Sequence, residues 1–176
     1  MLKIAVCGKM ASGKTTLANM MVAEKDKGEV LSLAKKVKDI GRELFFMEDK
    51  DRPLLQKIGM KMREIKEDVW LDYLIQSADE LVKEKDNSIV VVDDVRFVNE
   101  VQKLKENGWI LIKIEIDAEL QKERLQKTYE DWETHWNNRT DASETEVDKV
   151  PEEWFDFILD GSNLHEFGSS FSSLLI

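Results

Sequence analysis

Gly8, Gly13, Lys14 and Thr15 stand in the order G-x-x-x-x-G-K-T within KIAVCGKMASGKTTLANMM, residues 3–21. In a phosphate cradle each of these types has one job. Glycines let the backbone wrap so that its N–H groups face an anion, the lysine bridges β- and γ-phosphates, and the threonine hydroxyl holds Mg²⁺. Ala11, Ser12 and Thr16 complete the set expected around the phosphates. By average composition this spacing arises by chance in such a chain on the order of one time in a hundred. The plainer alternative is a glycine turn with a solvated lysine, and context separates the two. The apolar run LKIAVC (2–7) precedes the loop, and Leu17, Met20, Met21 and Glu24 follow it at helical spacing. Strand, loop and helix are therefore in place, with the positive end of the helix directed at the anion.

A carboxylate on a neighbouring strand is the next requirement. SIVVVDD (88–94) ends in Asp93 and Asp94, and parallel strands deliver their ligands at their C-terminal ends. One aspartate is expected to reach the Mg²⁺ shell through water; the alternative is that both cap the following helix, as one of the two is expected to do. Asp94 is favoured for the metal, beside Thr15. Arg96 then emerges at the mouth of the sheet, as a phosphate or substrate contact or as a structural ion pair.

These residues need a scaffold. EVLSLA (29–34) reads as a second strand, and residues 35–85 as helical with breaks near 49–53 and 66–68. Phe97, Val98, Val101 and Leu104 share a helical face that Asn107-Gly108 closes. WILIKIEI (109–116) is strand-like, 119–150 is polar and helical in part, WFDFILD (154–160) reads as a last strand, and Asn163–Leu175 as a closing helix. Alternating strands and helices imply an α/β three-layer sandwich with a central parallel sheet. One domain over 1–176 is expected, with helical excursions at 35–85 and 118–150.

The totals agree with one soluble domain. A chain of 176 residues with 42% hydrophobic and 35% charged residues has enough apolar material for a core and argues against long disorder. No run approaches the length of a membrane span, and the N-terminal apolar run is too short for a signal peptide, so a cytoplasmic location is expected. Cys7, the only cysteine, reads as a small buried residue, and His135 and His165 stand too far apart for an expected zinc site. A net charge of −10 argues against a general nucleic-acid surface but not against a small anion met by a few converging cations.

Among nucleotide users, a regulatory GTPase lacks support because no N-K-x-D segment is present. A motor or AAA-type ATPase is usually longer. A small kinase closing over its acceptor fits better, and later segments sharpen this. VVDDVRFVNE (91–100) resembles the D-V-R-F-x-N-E segment of bacteriophage-type deoxynucleoside monophosphate kinases. SLAKKVKDIGRELF (32–45) is similar to that family's F-A-x-x-L-K element, with Ala34 and Lys38 in register. DRPLLQKIGMKMREIKEDVW (51–70) fits its R-x-x-x-Q-x-x-G-x-x-x-R…W pattern through Arg52, Gln56, Gly59, Arg63 and Trp70. SETEVD (143–148) resembles its S-E element, and ILDGSNLHEF (158–167) its terminal segment. Asp141 stands where the family usually has histidine, and Val98 where it often has proline.

The resemblance implies a P-loop kinase that uses ATP and Mg²⁺ to convert a deoxynucleoside monophosphate to the diphosphate, in a host cytoplasm if phage-encoded. A monophosphate has its second pKa near about 6, so its attacking oxygen is largely ionised at neutral pH and cations matter more than a base. Arg63 is the first candidate to hold the acceptor phosphate by a bidentate fork, against an ion pair with Glu67. Lys38, Arg42 and Arg52 are further cationic candidates, and each is equally well a solvated charge. Gln56 is a candidate to read the base edge, and Trp70 to stack or simply pack. Arg124 and Arg139 would belong to a lid closing over ATP, with Glu144 as a candidate partner for one of them. Homodimerisation is left open. The alternatives are a kinase of the same fold with a non-nucleotide acceptor, of phosphomevalonate type, or a regulatory nucleotide-binding protein. An alcohol acceptor would make Asp93 the suspected base.

Overall fold

Consecutive residues of an extended strand point to opposite faces, so a strand without polar alternation must be covered on both sides. The first strand, β1 (Leu2–Gly8), obeys this rule: Ile4 and Val6 join one core, and Ala5 and Cys7 the other. The rest of the chain follows as α1 (Lys14–Ala23), β2 (Gly28–Leu31), α2 (Leu33–Phe45), α3 (Arg52–Ile65) and α4 (Val69–Glu84). Then come β3 (Ile89–Val95), α5 (Val98–Glu106), β4 (Ile110–Glu115), α6 (Ala118–Thr128), α7 (Trp132–Asn137), α8 (Ala142–Thr145) and β5 (Phe157–Asp160). The computed structural model describes residues 2–25, 27–84, 88–165 and 167.

All strand pairs are parallel, in the order β2-β3-β1-β4-β5. On one face, Leu17, Ala18 and Met21 of α1 meet Ile4, Val6, Ile112 and Ile114. On the other, Leu74, Ala78 and Leu81 of α4 and Val101 and Leu104 of α5 meet Val90 and Val92. The result is the three-layer α/β sandwich that the alternation of elements implied. Cys7 is wholly buried, and desolvation pushes its thiol pKa well above the ordinary value. Among the described residues, no helix is long and apolar enough to cross a membrane.

Two expected boundaries move. The second strand ends at Leu31 instead of Ala34, because the Asp94 carboxylate takes the N–H groups of Leu33 (2.8 Å) and Ala34 (3.0 Å) and the Ser32 hydroxyl (2.7 Å). Those contacts satisfy the orphan donors of a helix start, so α2 begins there. The last strand begins at Phe157 instead of Trp154, since residues 152–154 form a 3-10 turn and the Asp156 carboxylate takes the Leu111 N–H at 2.8 Å. Of the closing helix expected over 163–175, residues 166 and 168–175 lie outside the described residues.

One irregularity matters for the site. Ala5 pairs with Val92, but the next partner of β3 is Val95, opposite Cys7. One residue of β1 therefore faces two of β3, Asp93 and Asp94. A regular strand would send these two carboxylates to opposite faces, whereas the extra residue of a bulge re-aims its neighbours. Both aspartates border the same cavity.

Candidate active site

The loop between β1 and α1 owes its shape to its small residues. A Cβ on Gly8 would lie 2.7 Å from the Ile114 carbonyl oxygen and 2.8 Å from Ser12 Oγ. Gly13 has φ +104°, and a Cβ there would come within 2.4 Å of Leu164 Cδ1. Gly13→Ala is expected to lower the unfolding free energy by about 2–4 kcal/mol, from backbone strain plus overlap, as read by urea unfolding. Ala11 also adopts a left-handed backbone, at φ 59°. Buried at the start of α1, Lys14 donates through Nζ to the carbonyls of Gly8 (2.8 Å) and Lys9 (2.6 Å). Burial, and then the nearby Arg96, bring its pKa down to about 8.

The second excursion braces this loop. Gln121 of α6 donates to the Met10 carbonyl (3.0 Å), and the Met10 N–H donates to Glu144 Oε2 (2.7 Å). Arg124 donates to the carbonyls of Ala11 (3.2 Å), Ser12 (3.1 Å) and Gly161 (2.7 Å). Arg124 was a candidate to close over ATP; instead its guanidinium ties the loop to the end of β5, although it still borders the cavity. Gln121 escaped the sequence analysis. Its signal is its place one turn before Leu125 on the buried side of α6.

At the end of β3 the two aspartates divide the work, in the opposite sense to the expectation. Thr15 Oγ1 donates to Asp93 Oδ2 at 2.6 Å, whereas Asp94 holds the start of α2. The carboxylate beside the candidate Mg²⁺ hydroxyl is therefore Asp93, and Asp94 is a helix cap. Burial raises the Asp93 pKa above the ordinary carboxylate value, opposed by the Thr15 hydrogen bond. Asp94→Ala is expected to cost about 1–3 kcal/mol of stability in urea unfolding, the scale of a lost cap with its hydrogen bonds. Two residues on, Arg96 Nη1 donates to Glu144 Oε1 at 2.5 Å. Glu144, a candidate partner for a lid arginine, thus pairs with Arg96. The turn is fixed by Glu100, whose buried carboxylate accepts the N–H groups of Arg96 (2.9 Å) and Phe97 (3.1 Å).

Two cavities of similar size meet above these residues. The first, about 700 Å³, is bordered by Gly13, Lys14, Thr15, Thr16, Asp93 and Tyr129. The second, about 710 Å³, is bordered by Leu55, Gln56, Arg63, Trp70 and Phe97. They share Ala34, Lys38, Asp94 and Arg96, so Lys38 and Arg96 stand at the junction. No ion pair between Arg63 and Glu67 occurs among the described residues. Trp70 Nε1 donates to the Gly59 carbonyl at 3.2 Å, which pins α4 to α3, so Trp70 packs as a wall.

Two candidates lie elsewhere. Arg42 sits near the C-terminus of α2, 62% exposed and 3.9 Å from Asp39, outside both cavities. Arg139 lies with its guanidinium 4.6 Å from the Trp136 ring centre and donates to the Trp136 carbonyl, so it does not border the first cavity. The Arg52 side chain lies outside what the structure describes.

The donor chemistry suits a magnesium nucleotide. A hydroxyl and a carboxylate 2.6 Å apart offer the hard oxygens that Mg²⁺ takes, and Lys14 and the loop offer N–H groups to phosphate. Among the described residues no group of three His, Cys, Asp or Glu could hold a metal, and a nucleotide-borne Mg²⁺ needs none.

The profile of the family described as "AAA domain" matches residues 4–156. The chain belongs to this AAA domain family. No curated protein matches in sequence. Among solved structures, a sugar kinase from Janibacter sp. HTCC2649 is 17% identical with a TM-score of 0.62, over 99% of this chain and 94% of that one. A shikimate kinase from Bacteroides thetaiotaomicron is 12% identical with a TM-score of 0.59, over 99% and 98%. An uncharacterized protein from Eubacterium ventriosum is 11% identical with a TM-score of 0.60, over 99% and 97%. At these identities the likeness shows a shared fold, that of small P-loop kinases, for this AAA domain chain.

Proposed function

We propose that the protein transfers the γ-phosphate of ATP to a deoxynucleoside monophosphate. The observation that carries this reading is the second cavity, where Lys38, Arg63 and Arg96 stand among apolar walls and two of the three also border the phosphate-loop cavity. A phosphate-bearing acceptor with an apolar, planar base matches that mixture, and the sequence resemblance names the same class. Bound beside Thr15 and Asp93, Mg²⁺ would supply charge neutralisation at the phosphate oxygens.

Lys14 and the loop N–H groups bind the donor phosphates, and Arg63 grips the acceptor phosphate. An acceptor oxygen forms a bond to the γ-phosphorus while the bond from that phosphorus to the β–γ bridging oxygen breaks, and ADP leaves with the electron pair. No proton has to be removed from an ionised phosphate. Lys38 and Arg96, at the junction, offset the repulsion between two anions brought together. The two aspartates should separate kinetically. Asp93→Ala is expected to lower kcat with little change in acceptor KM, and Asp94→Ala, through α2, to raise acceptor KM.

The test is ADP release with ATP and Mg²⁺ against a panel of ribo- and deoxynucleoside monophosphates, shikimate and simple sugars. Stimulation by deoxynucleoside monophosphates supports the reading; background rates with every monophosphate refute it. A second reading, phosphorylation of an alcohol, draws on the raised pKa of Asp93 at the edge of the cavity. Against it, Asp93 already accepts the Thr15 hydroxyl proton. Stimulation by an alcohol alone would select it, and stimulation by nothing would leave a nucleotide-binding regulator.

A further inference from the structure

Glu144 is 4% exposed, unusual for a carboxylate on an element of only four residues. Both of its oxygens are engaged. Oε2 accepts the N–H of Met10 in the phosphate loop, and Oε1 accepts Nη1 of Arg96, which borders both cavities. The other end of Met10 is held too, by Gln121 on its carbonyl. The Met10 N–H is therefore not offered to a phosphate, and its bond fixes one wall of the cradle. Arg96 has five N–H donors, so one bond to Glu144 leaves up to four for phosphate oxygens. A guanidinium gripped at one end is restricted in rotation and presents its remaining donors in one direction.

We propose that Glu144 is a positioning residue that ties the phosphate loop to Arg96, so that the donor cradle and the arginine at the donor–acceptor junction are set by one carboxylate. This rests on the reading of the second cavity as an acceptor site. The bridge links the two halves of the cleft through a single side chain contributed by the second excursion. Its expected result is that correct seating of the loop and correct aim of Arg96 are won or lost together.

Glu144→Gln tests this, since the amide keeps the shape and an oxygen for the Met10 N–H but removes the charge that holds Arg96. The experiment measures kcat, both KM values and Tm for the wild type, Glu144→Gln, Arg96→Lys and the double variant, and follows the Met10 amide resonance in all four without substrate. Glu144→Gln should lower kcat about tenfold to a hundredfold, the scale of one charge-assisted hydrogen bond, with the KM for ATP within about threefold. In the Arg96→Lys background the same change should cost less than about twofold. The Met10 resonance should move in both single variants. An equal loss in both backgrounds overturns the proposal, as does a fall in Tm with unchanged kcat per folded molecule. If the wild type turns over no monophosphate, the acceptor reading fails by itself. The Met10 resonance then decides the bridge, and a resonance unmoved in Arg96→Lys overturns it.

Discussion

Lys14→Ala should abolish phosphate transfer while leaving the protein folded. The loss expected in kcat/KM is on the order of 10³-fold, the scale for removing a preorganised cationic donor from a developing phosphate charge. The fold should survive because, among the described residues, Lys14 Nζ bonds only the carbonyls of Gly8 and Lys9, while Gln121, Arg124 and Glu144 hold the loop from the other side. Circular dichroism and Tm check the second half of the prediction, and ADP release the first. A pH signature accompanies it. Burial lowers the Lys14 pKa to about 8, so kcat/KM for ATP should fall as pH rises through that value and the cation is lost. In kcat the fall should come at higher pH, because bound phosphates hold the proton. The stability contribution has the opposite sign. Between about 8 and the ordinary lysine value of 10.5 the unfolded chain keeps the proton that the native chain has lost, so Lys14's contribution to stability rises with pH across that window. Lys14→Ala should remove both trends.

Arg63→Ala is the second large effect. It should raise the KM for the acceptor about a hundredfold, the scale of a lost bidentate phosphate contact, and leave ATP affinity within a few-fold. The separation is geometric: Arg63 borders the second cavity and not the first. Steady-state kinetics in both substrates, with ATP titration in the absence of acceptor, measure the split. Equal loss of ATP affinity would refute an acceptor role. Arg42→Ala, outside both cavities, is the matched control and should leave both constants near wild type.

How legible these roles were in the sequence depends on how far each contact reaches. The central strands were plain because burial on both faces forces continuous apolar runs such as IVVV, and no distant residue is needed to read them. The phosphate loop was equally plain, because its residue types and spacing lie within a few residues of one another, although the side chains that brace it come from more than 100 residues away. The end of β2 was not, because α2 starts where a carboxylate 60 residues away happens to lie. The roles of Asp93 and Asp94 were exchanged for a related reason. A one-residue bulge in β3 sets which aspartate meets Thr15, and hydrophobic patterning carries no trace of a register slip in so short a stretch. Arginines were the hardest to place. Arg42, Arg124 and Arg139 are each plausible phosphate partners by type, but helix packing turns one to solvent, one onto carbonyls and one onto a tryptophan ring. Lys38, Gln56 and Arg63, by contrast, do line one cavity, because α2 and α3 face each other across it.

The burial of Cys7 has a practical consequence. A thiol that is fully buried, the only one in the chain, and held protonated by its surroundings should not react with maleimides or iodoacetamide while the protein is folded. The wild-type chain therefore serves as a silent background for single-site labelling. One cysteine introduced at exposed Glu133 in α7, and a second at exposed Gln102 in α5, would give a dye pair with one member in the second excursion, without first removing a native cysteine. Energy transfer with and without ATP would then test whether the second excursion moves when nucleotide binds.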